Sequence, residues 1–242
     1  MKPAPPVTHT VRELMEEPLS GRGLDALAPL EREFYQRATT TVARNLLGKL
    51  LVRRLPEGDV AVRLTEVEAY LGVGDPAAHT YGGRRTERNE VMWGDGGHLY
   101  VYFTYGMHYC CNVVTRRRDL PEAVLLRGGV PVVSAPLIVA RRGNGEWRRL
   151  LDGPARLCQG LGIDRALNGA DLTIGDGVWL ASDGFECRSA WVRRQPRVGV
   201  AYAGEAAQWP LRYLVDLDAR AQRRRILGMA RGRGGATWKA GR

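Results

Sequence analysis

Residues 60–112 read VAVRLTEVEAYLGVGDPAAHTYGGRRTERNEVMWGDGGHLYVYFTYGMHYCCN, and the alternation within this stretch decides how the chain is expected to fold. Successive side chains of a strand point to opposite faces. From Val60 the even positions are Val60, Val62, Leu64, Glu66, Glu68 and Tyr70, so one expected face runs aliphatic, then acidic, then aromatic. The carboxylates of Glu66 and Glu68 therefore fall where a core should continue. Burying an ionised carboxylate without a partner is costly, and desolvation raises its pKa. Each glutamate is thus either salt-bridged at a strand end or held for chemistry.

Leu99 to Val114 reads as an aromatic strand, a Gly106-Met107 turn and a return strand, which together make a hairpin. Tyr100, Tyr102 and Thr104 share one expected face, and Leu99, Val101, Phe103 and Tyr105 the other. That places Tyr105 beside the turn and away from Tyr102. A bulky side chain at an exposed tip is a candidate wedge for a base stack; the alternative is that these tyrosines are ordinary strand residues, because aromatics favour sheets. Leu71 to Gly97 has seven glycines and little periodicity, so a long loop is expected, with a helical turn at Pro76 to His79. Arg84, Arg85 and Arg88 lie in it beside Gly82 and Gly83, either as backbone-phosphate contacts or as a solvated loop.

Working outward, Thr39 or Thr40 is expected to cap a helix through Val42, Leu46 and Leu47 that leaves at Gly48. Lys49 to Leu55 then pairs with the strand carrying Glu68, across a turn at Pro56-Glu57-Gly58-Asp59. Downstream, Ala123 to Arg127 reads as a strand that delivers Arg127, and Pro136 to Arg142 as a helix. Pro154 opens another helix that stops near Gly162. Short strands are expected at Leu172 to Ile174, Val178 to Leu180, Val198 to Tyr202 and Leu211 to Leu217. The pattern is mixed α/β (α+β): a single domain over residues 34–218, with a curved, mostly antiparallel sheet, short helices and a protruding aromatic hairpin. Residues 1–33 are expected to be a mobile N-terminal arm, and residues 219–242 a basic, Arg/Gly-rich tail.

Composition narrows the function. With 242 residues, 44% of them hydrophobic, the chain can bury one substantial core. It shows no membrane-length apolar run and no secretory layout, so a cytoplasmic location is expected, at the nucleoid if the source is bacterial. Cys110, Cys111, Cys158 and Cys187 have no zinc spacing and read as buried free thiols. The formal charge of +10 points to a polyanionic partner, but the final stretch from Arg220 holds seven arginines and one lysine without an acid. The charge is mostly a property of the tail. Lysine occurs only at Lys2, Lys49 and Lys239, which disfavours lysine-dependent lyase chemistry.

The segments TEVEAYLGVGDPAAHTYGGRRTERN and LYVYFTYGMHYCCNV resemble the alkyladenine (3-methyladenine) DNA glycosylase family. ARNLLGKLLVRRL, AVLLRG, DGPARLCQGLGI, RVGVAYAGE and WPLRYLV agree in order, so the resemblance spans about residues 35–217. It implies a monofunctional glycosylase, without metal or cofactor, acting as a monomer on double-stranded DNA that contains damaged purines. By that resemblance Glu68 activates the water and Arg127 helps hold it. Tyr70, His79, Tyr102 and Asn112 form the base pocket, with Asn112 crowding the guanine 2-amino group. Tyr105 fills the gap left by the flipped nucleotide, with Met107 beside it at the hairpin tip. Arg156 resembles a DNA-backbone contact, and Arg84 and Arg88, read above from their loop, are expected to join it there. Residues 128–149, His108, Tyr81 and Trp93 depart from the family pattern.

Two other readings stand beside this one. A non-catalytic module would recognise damaged bases in the same pocket, and only turnover separates it from an enzyme. An RNA-binding protein would stack single-stranded bases on the tyrosines; a preference for duplex over single-stranded substrate would separate the two.

Overall fold

The computed structural model describes Leu24, residues 27–143 and residues 150–215. Two short helices, α1 (Arg32–Tyr35) and α2 (Thr39–Leu46), lead into β1 (Leu50–Arg53) and the long β2 (Val60–Tyr70). A loop with short 3-10 turns separates β2 from the hairpin β3 (Leu99–Thr104) and β4 (His108–Thr115). Then come β5 (Glu122–Val133), α3 (Ala135–Arg142), α4 (Pro154–Leu161), β6 (Val178–Ala181), β7 (Val192–Gln195) and β8 (Arg212–Val215). The mixed α/β architecture with a curled antiparallel sheet agrees with the sequence reading.

The strands form one sheet in the order β3-β4-β5-β2-β1-β6, with β8 paired to β2 and β7. β2 organises it. Along one edge β5 accompanies β2 from Ala61 to Tyr70. Along the other edge, Val60–Arg63 pair with β1, and Glu66–Glu68 pair with β8. The handover coincides with a β-bulge, where Leu64 pairs with Gly129 and Glu66 with Gly128, so that Thr65 has no partner on β5.

That bulge corrects the expected alternation. The main core takes Val60, Val62 and Leu64, then Val67 and Ala69, so the parity of the strand changes at Thr65. One extra residue in a period-two strand moves everything beyond it to the other face. Glu66, Glu68 and Tyr70 therefore do not continue the core face; they are turned onto the opposite one. β5 can follow β2 this closely because residue 129 is glycine, where an added Cβ would stand 2.3 Å from Val62 Cγ1 and 2.7 Å from Arg63 O.

Other expectations are corrected locally. α2 has Ala38 at its N-cap with no side-chain cap, because the Thr39 hydroxyl is spent on Thr115 and Glu122. Leu172–Ile174 is a turn: Leu172 is buried, Ile174 is 67% exposed, and Gly175 and Gly177 follow with positive φ. Val198–Tyr202 is no strand either. Gly199 at φ 77° breaks the extension, and Ala201–Gln208 coils into 3-10 turns. Cys187 is half-buried rather than buried. Of the arm expected over residues 1–33, Pro29 is bridged to Ala181 and Leu30 N donates to Leu180 O, both on β6, and Arg32 and Glu33 belong to α1; residues 1–23, 25 and 26, like the expected tail, lie outside the described residues.

Candidate active site

The face to which the bulge turns β2 lines a cavity of about 460 Å³. Tyr70 from β2, Tyr102 from β3 and Asn112 from β4 reach it because paired residues on neighbouring strands share a face, and Arg127 reaches it from β5 at the register shift between Gly128 and Leu126. The loop after β2 adds His79 and Arg88, and the segment before β8 adds Val198 and Tyr202.

Glu68 lies beneath this cavity with no exposed surface. Its Oε2 accepts the Tyr70 hydroxyl at 2.9 Å and its Oε1 accepts the Val198 backbone N–H at 2.8 Å. Arg127 Nε donates to Glu66 Oε1 at 2.9 Å, while Glu68 Oε1 is 3.5 Å away. Glu66 Oε1 also accepts from Arg212 Nη1 at 2.9 Å. Burial pushes the Glu68 carboxyl above its ordinary range, against the Arg127 charge, the Val198 N–H and the Tyr70 hydroxyl, which pull it down. The closer bond of Arg127 goes to Glu66, and for Glu68 desolvation outweighs the favourable Arg127 charge.

The aromatic wall is fixed by ring contacts and hydrogen bonds. His79 meets Tyr102 edge-on with centroids 4.7 Å apart, and its Nδ1 lies 3.0 Å from the Tyr100 hydroxyl. Burial, then Arg88 and Arg84, lower the His79 pKa to about 4, so the ring is neutral at physiological pH. Asn112 is oriented by its amide donating to Tyr100 O at 3.2 Å. Burial raises the Cys110 thiol, which also lines the cavity, to about 11, leaving it protonated.

Tyr105 stands at the cavity mouth, 85% exposed, with Met107 beside it 69% exposed. Simple alternation put Tyr105 on the side away from Tyr102. The turn centres on Tyr105 and Gly106 instead, with φ of 52° and 66°, and this left-handed backbone brings Tyr105 round to the same cavity as Tyr102. A non-glycine residue in that region is uncommon and marks local strain.

The remaining expected contacts lie outside this cavity. Arg84 lines an adjoining recess of about 290 Å³ together with Arg88 and His79. Arg88 also lies over the Tyr102 ring at 5.2 Å. Arg156, on α4, donates to Asp152 O at 2.9 Å and is among the lining residues of neither hollow. Sequence reasoning missed Val198, Arg212 and the buried pair Asp75 and Arg197. The available signal was an arginine opening the R-V-G-V run and another in W-P-L-R, both in segments already noted as family motifs.

A family profile described as methylpurine-DNA glycosylase matches residues 33–219. The chain is 43% identical over 195 residues to a Desulfitobacterium hafniense protein whose name reads "Putative 3-methyladenine DNA glycosylase", covering 77% of this chain and 95% of that one. Relatives of the same name come from Methanocella arvoryzae, 45% identical with 76% and 90% covered, and Streptomyces avermitilis, 45% identical with 78% and 89% covered.

Proposed function

The chain belongs to the methylpurine-DNA glycosylase family, and on that premise we propose that it is a monofunctional glycosylase that flips alkylated or deaminated purines out of duplex DNA and hydrolyses the N-glycosidic bond. The substrates are 3-methyladenine first, then 7-methylguanine, hypoxanthine and ethenoadenine. The observation that carries the reading is Glu68, fully buried beneath an aromatic-walled cavity and held by Tyr70, Val198 and the nearby Arg127.

In the reaction, the flipped purine enters between Tyr70, His79 and Tyr102. An alkylated, cationic purine stacks on these rings with a cation–π gain of about 0.5–2 kcal/mol per contact. As the glycosidic bond breaks, its electron pair leaves with the base, which departs neutral if it was cationic and otherwise as an anion that takes up the proton released by the attacking water, and positive charge grows on the sugar. The ionised Glu68 stabilises that charge and takes a proton from the water whose oxygen bonds to the sugar carbon. Arg127, tethered by Glu66, orients the water. Asn112 crowds the guanine 2-amino group, which weakens capture of normal guanine.

Tyr105, with Met107, fills the gap in the stack and offsets part of the few kcal/mol that flipping costs. Arg84, Arg88 and Arg156 hold the phosphate backbone, and one monomer serves one lesion. Among the described residues no helix is long and apolar enough to cross a membrane; the proposed workplace is the cytoplasm, at the nucleoid if bacterial.

The test is product analysis on methylated genomic duplex DNA. Chromatography should find free 3-methyladenine, and the strand should stay intact until alkali cleaves the abasic site. Strand scission before alkali contradicts monofunctional chemistry, and binding without base release moves the reading to a damage-binding protein.

A further inference from the structure

Asp75 and Arg197 form an ion pair in which both side chains are 0% exposed. Arg197 Nη2 donates to Asp75 Oδ1 at 2.8 Å, and Arg197 Nη1 pairs with Asp75 Oδ2. The same guanidinium donates to Ala69 O at 3.1 Å and Ala206 O at 3.3 Å. Asp75 in turn accepts the N–H groups of Leu71 at 2.9 Å and Ala77 at 3.0 Å. A buried ion pair is weak evidence of net stabilisation, because apolar residues of similar volume often serve as well. What this pair does is tie together three pieces of the cavity wall: the end of β2, the loop leading to His79, and the segment from Arg197 to Ala206.

Its reach to Glu68 is short on two routes. The Arg197 guanidinium lies over the Tyr70 ring at 4.7 Å, and the hydroxyl of that ring donates to Glu68 Oε2. The residue after Arg197 is Val198, whose N–H donates to Glu68 Oε1. Both protein hydrogen bonds to the carboxylate thus originate from groups that Arg197 seats.

We propose that the Asp75–Arg197 pair is a positioning device for the reaction, seating the Tyr70 ring and the Val198 N–H against Glu68. The proposal rests on the glycosylase reading. Both residues act through others and touch neither base nor water. The other titratable groups around Glu68 are Glu66 and Tyr70 on its own strand, Arg127 from β5, Arg212 opposite it on β8, Cys110 from β4 and Tyr202 after Val198. All remain in the variants below.

The test compares Arg197→Met, Arg197→Lys and the isosteric Asp75→Asn with wild type, each confirmed folded by thermal unfolding and assayed well below its Tm. Single-turnover excision of hypoxanthine from duplex DNA should fall about 100-fold in Arg197→Met, the scale of a small misplacement of reacting groups. Affinity for a duplex carrying an abasic-site analogue should change less than about threefold, because DNA contacts are untouched. The acid limb of the pH–rate profile should move up by about one pH unit, because Glu68 loses hydrogen bonds that favour its charged form. Arg197→Lys should recover part of the rate.

Folded variants with wild-type rates, or with slowed rates and an unmoved acid limb, overturn the proposal. If Arg197→Met does not fold, Asp75→Asn is read by the same criteria; failure of both to fold makes the pair structural and overturns it too. A wild-type protein that releases no base from this duplex or from methylated duplex DNA instead overturns the glycosylase reading itself.

Discussion

Arg127 on β5 gives its Nε hydrogen to Glu66 on β2, at 2.9 Å, where the pairing of the two strands shifts register. The buried Glu68 beside it is left with the same guanidinium 3.5 Å away, an ion pair looser than the one Arg127 makes with Glu66.

This arrangement predicts the effect of Glu66→Gln. Glu66 raises the Glu68 pKa directly as a like charge, and it holds Arg127 away. Without its charge, Arg127 turns to Glu68, and a closer opposite charge favours the ionised form. The acid limb of the excision rate should move down by about one pH unit. A limb that stays or rises contradicts the tethering role.

Glu68→Gln should stabilise the protein while abolishing excision. Burial raises the Glu68 pKa above its unfolded value, so the native state binds the proton more tightly. The ionised carboxylate then lowers stability at pH values above the folded pKa, and this cost is absent below the unfolded one. The variant should accordingly melt higher than wild type at pH 8, with the difference vanishing toward pH 3.5. Calorimetry at both pH values checks the sign.

At Tyr105, stability and activity should move in opposite directions. The side chain is 85% exposed, so its loss costs little, and glycine relieves the left-handed backbone by about 1 kcal/mol. Tyr105→Gly should be as stable as wild type or slightly more so. Its excision of hypoxanthine paired with thymine should fall at least about tenfold, because nothing fills the gap left by the flipped nucleotide. Undiminished excision removes the wedge role.

His79 should titrate near pH 4, where burial and then Arg88 and Arg84 place it. Between its folded and unfolded pKa values the unfolded chain binds the extra proton, so this residue makes stability rise with pH over about pH 4 to 6.5. Arg88→Ala should raise the midpoint, read from the imidazole ring protons by NMR. An unchanged midpoint would leave burial and Arg84 as its causes.

Much of the site was legible before the structure, because family motifs and strand patterning carried Tyr70, His79, Tyr102, Asn112 and Arg127 to what proves to be one cavity. What stayed hidden was irregular backbone. An extra residue at Thr65 reverses the facing of Glu66, Glu68 and Tyr70, and no composition signal marks it. The left-handed Tyr105 reverses another side chain in the same way. Val198 escaped because it contributes a backbone N–H, which its side-chain type does not announce. Arg212 and Arg197 escaped because arginines are common in this chain, and only tertiary pairing with Glu66 and Asp75 distinguishes them.

The most direct test is single-turnover release of hypoxanthine from a duplex carrying one such base, for wild type and Glu68→Gln, with undamaged duplex as control and binding measured in parallel. The account predicts release by wild type, loss of release by at least about a thousandfold in the variant, and retained binding by both. Equal loss of release and binding would make Glu68 structural, and release that survives Glu68→Gln would contradict the account.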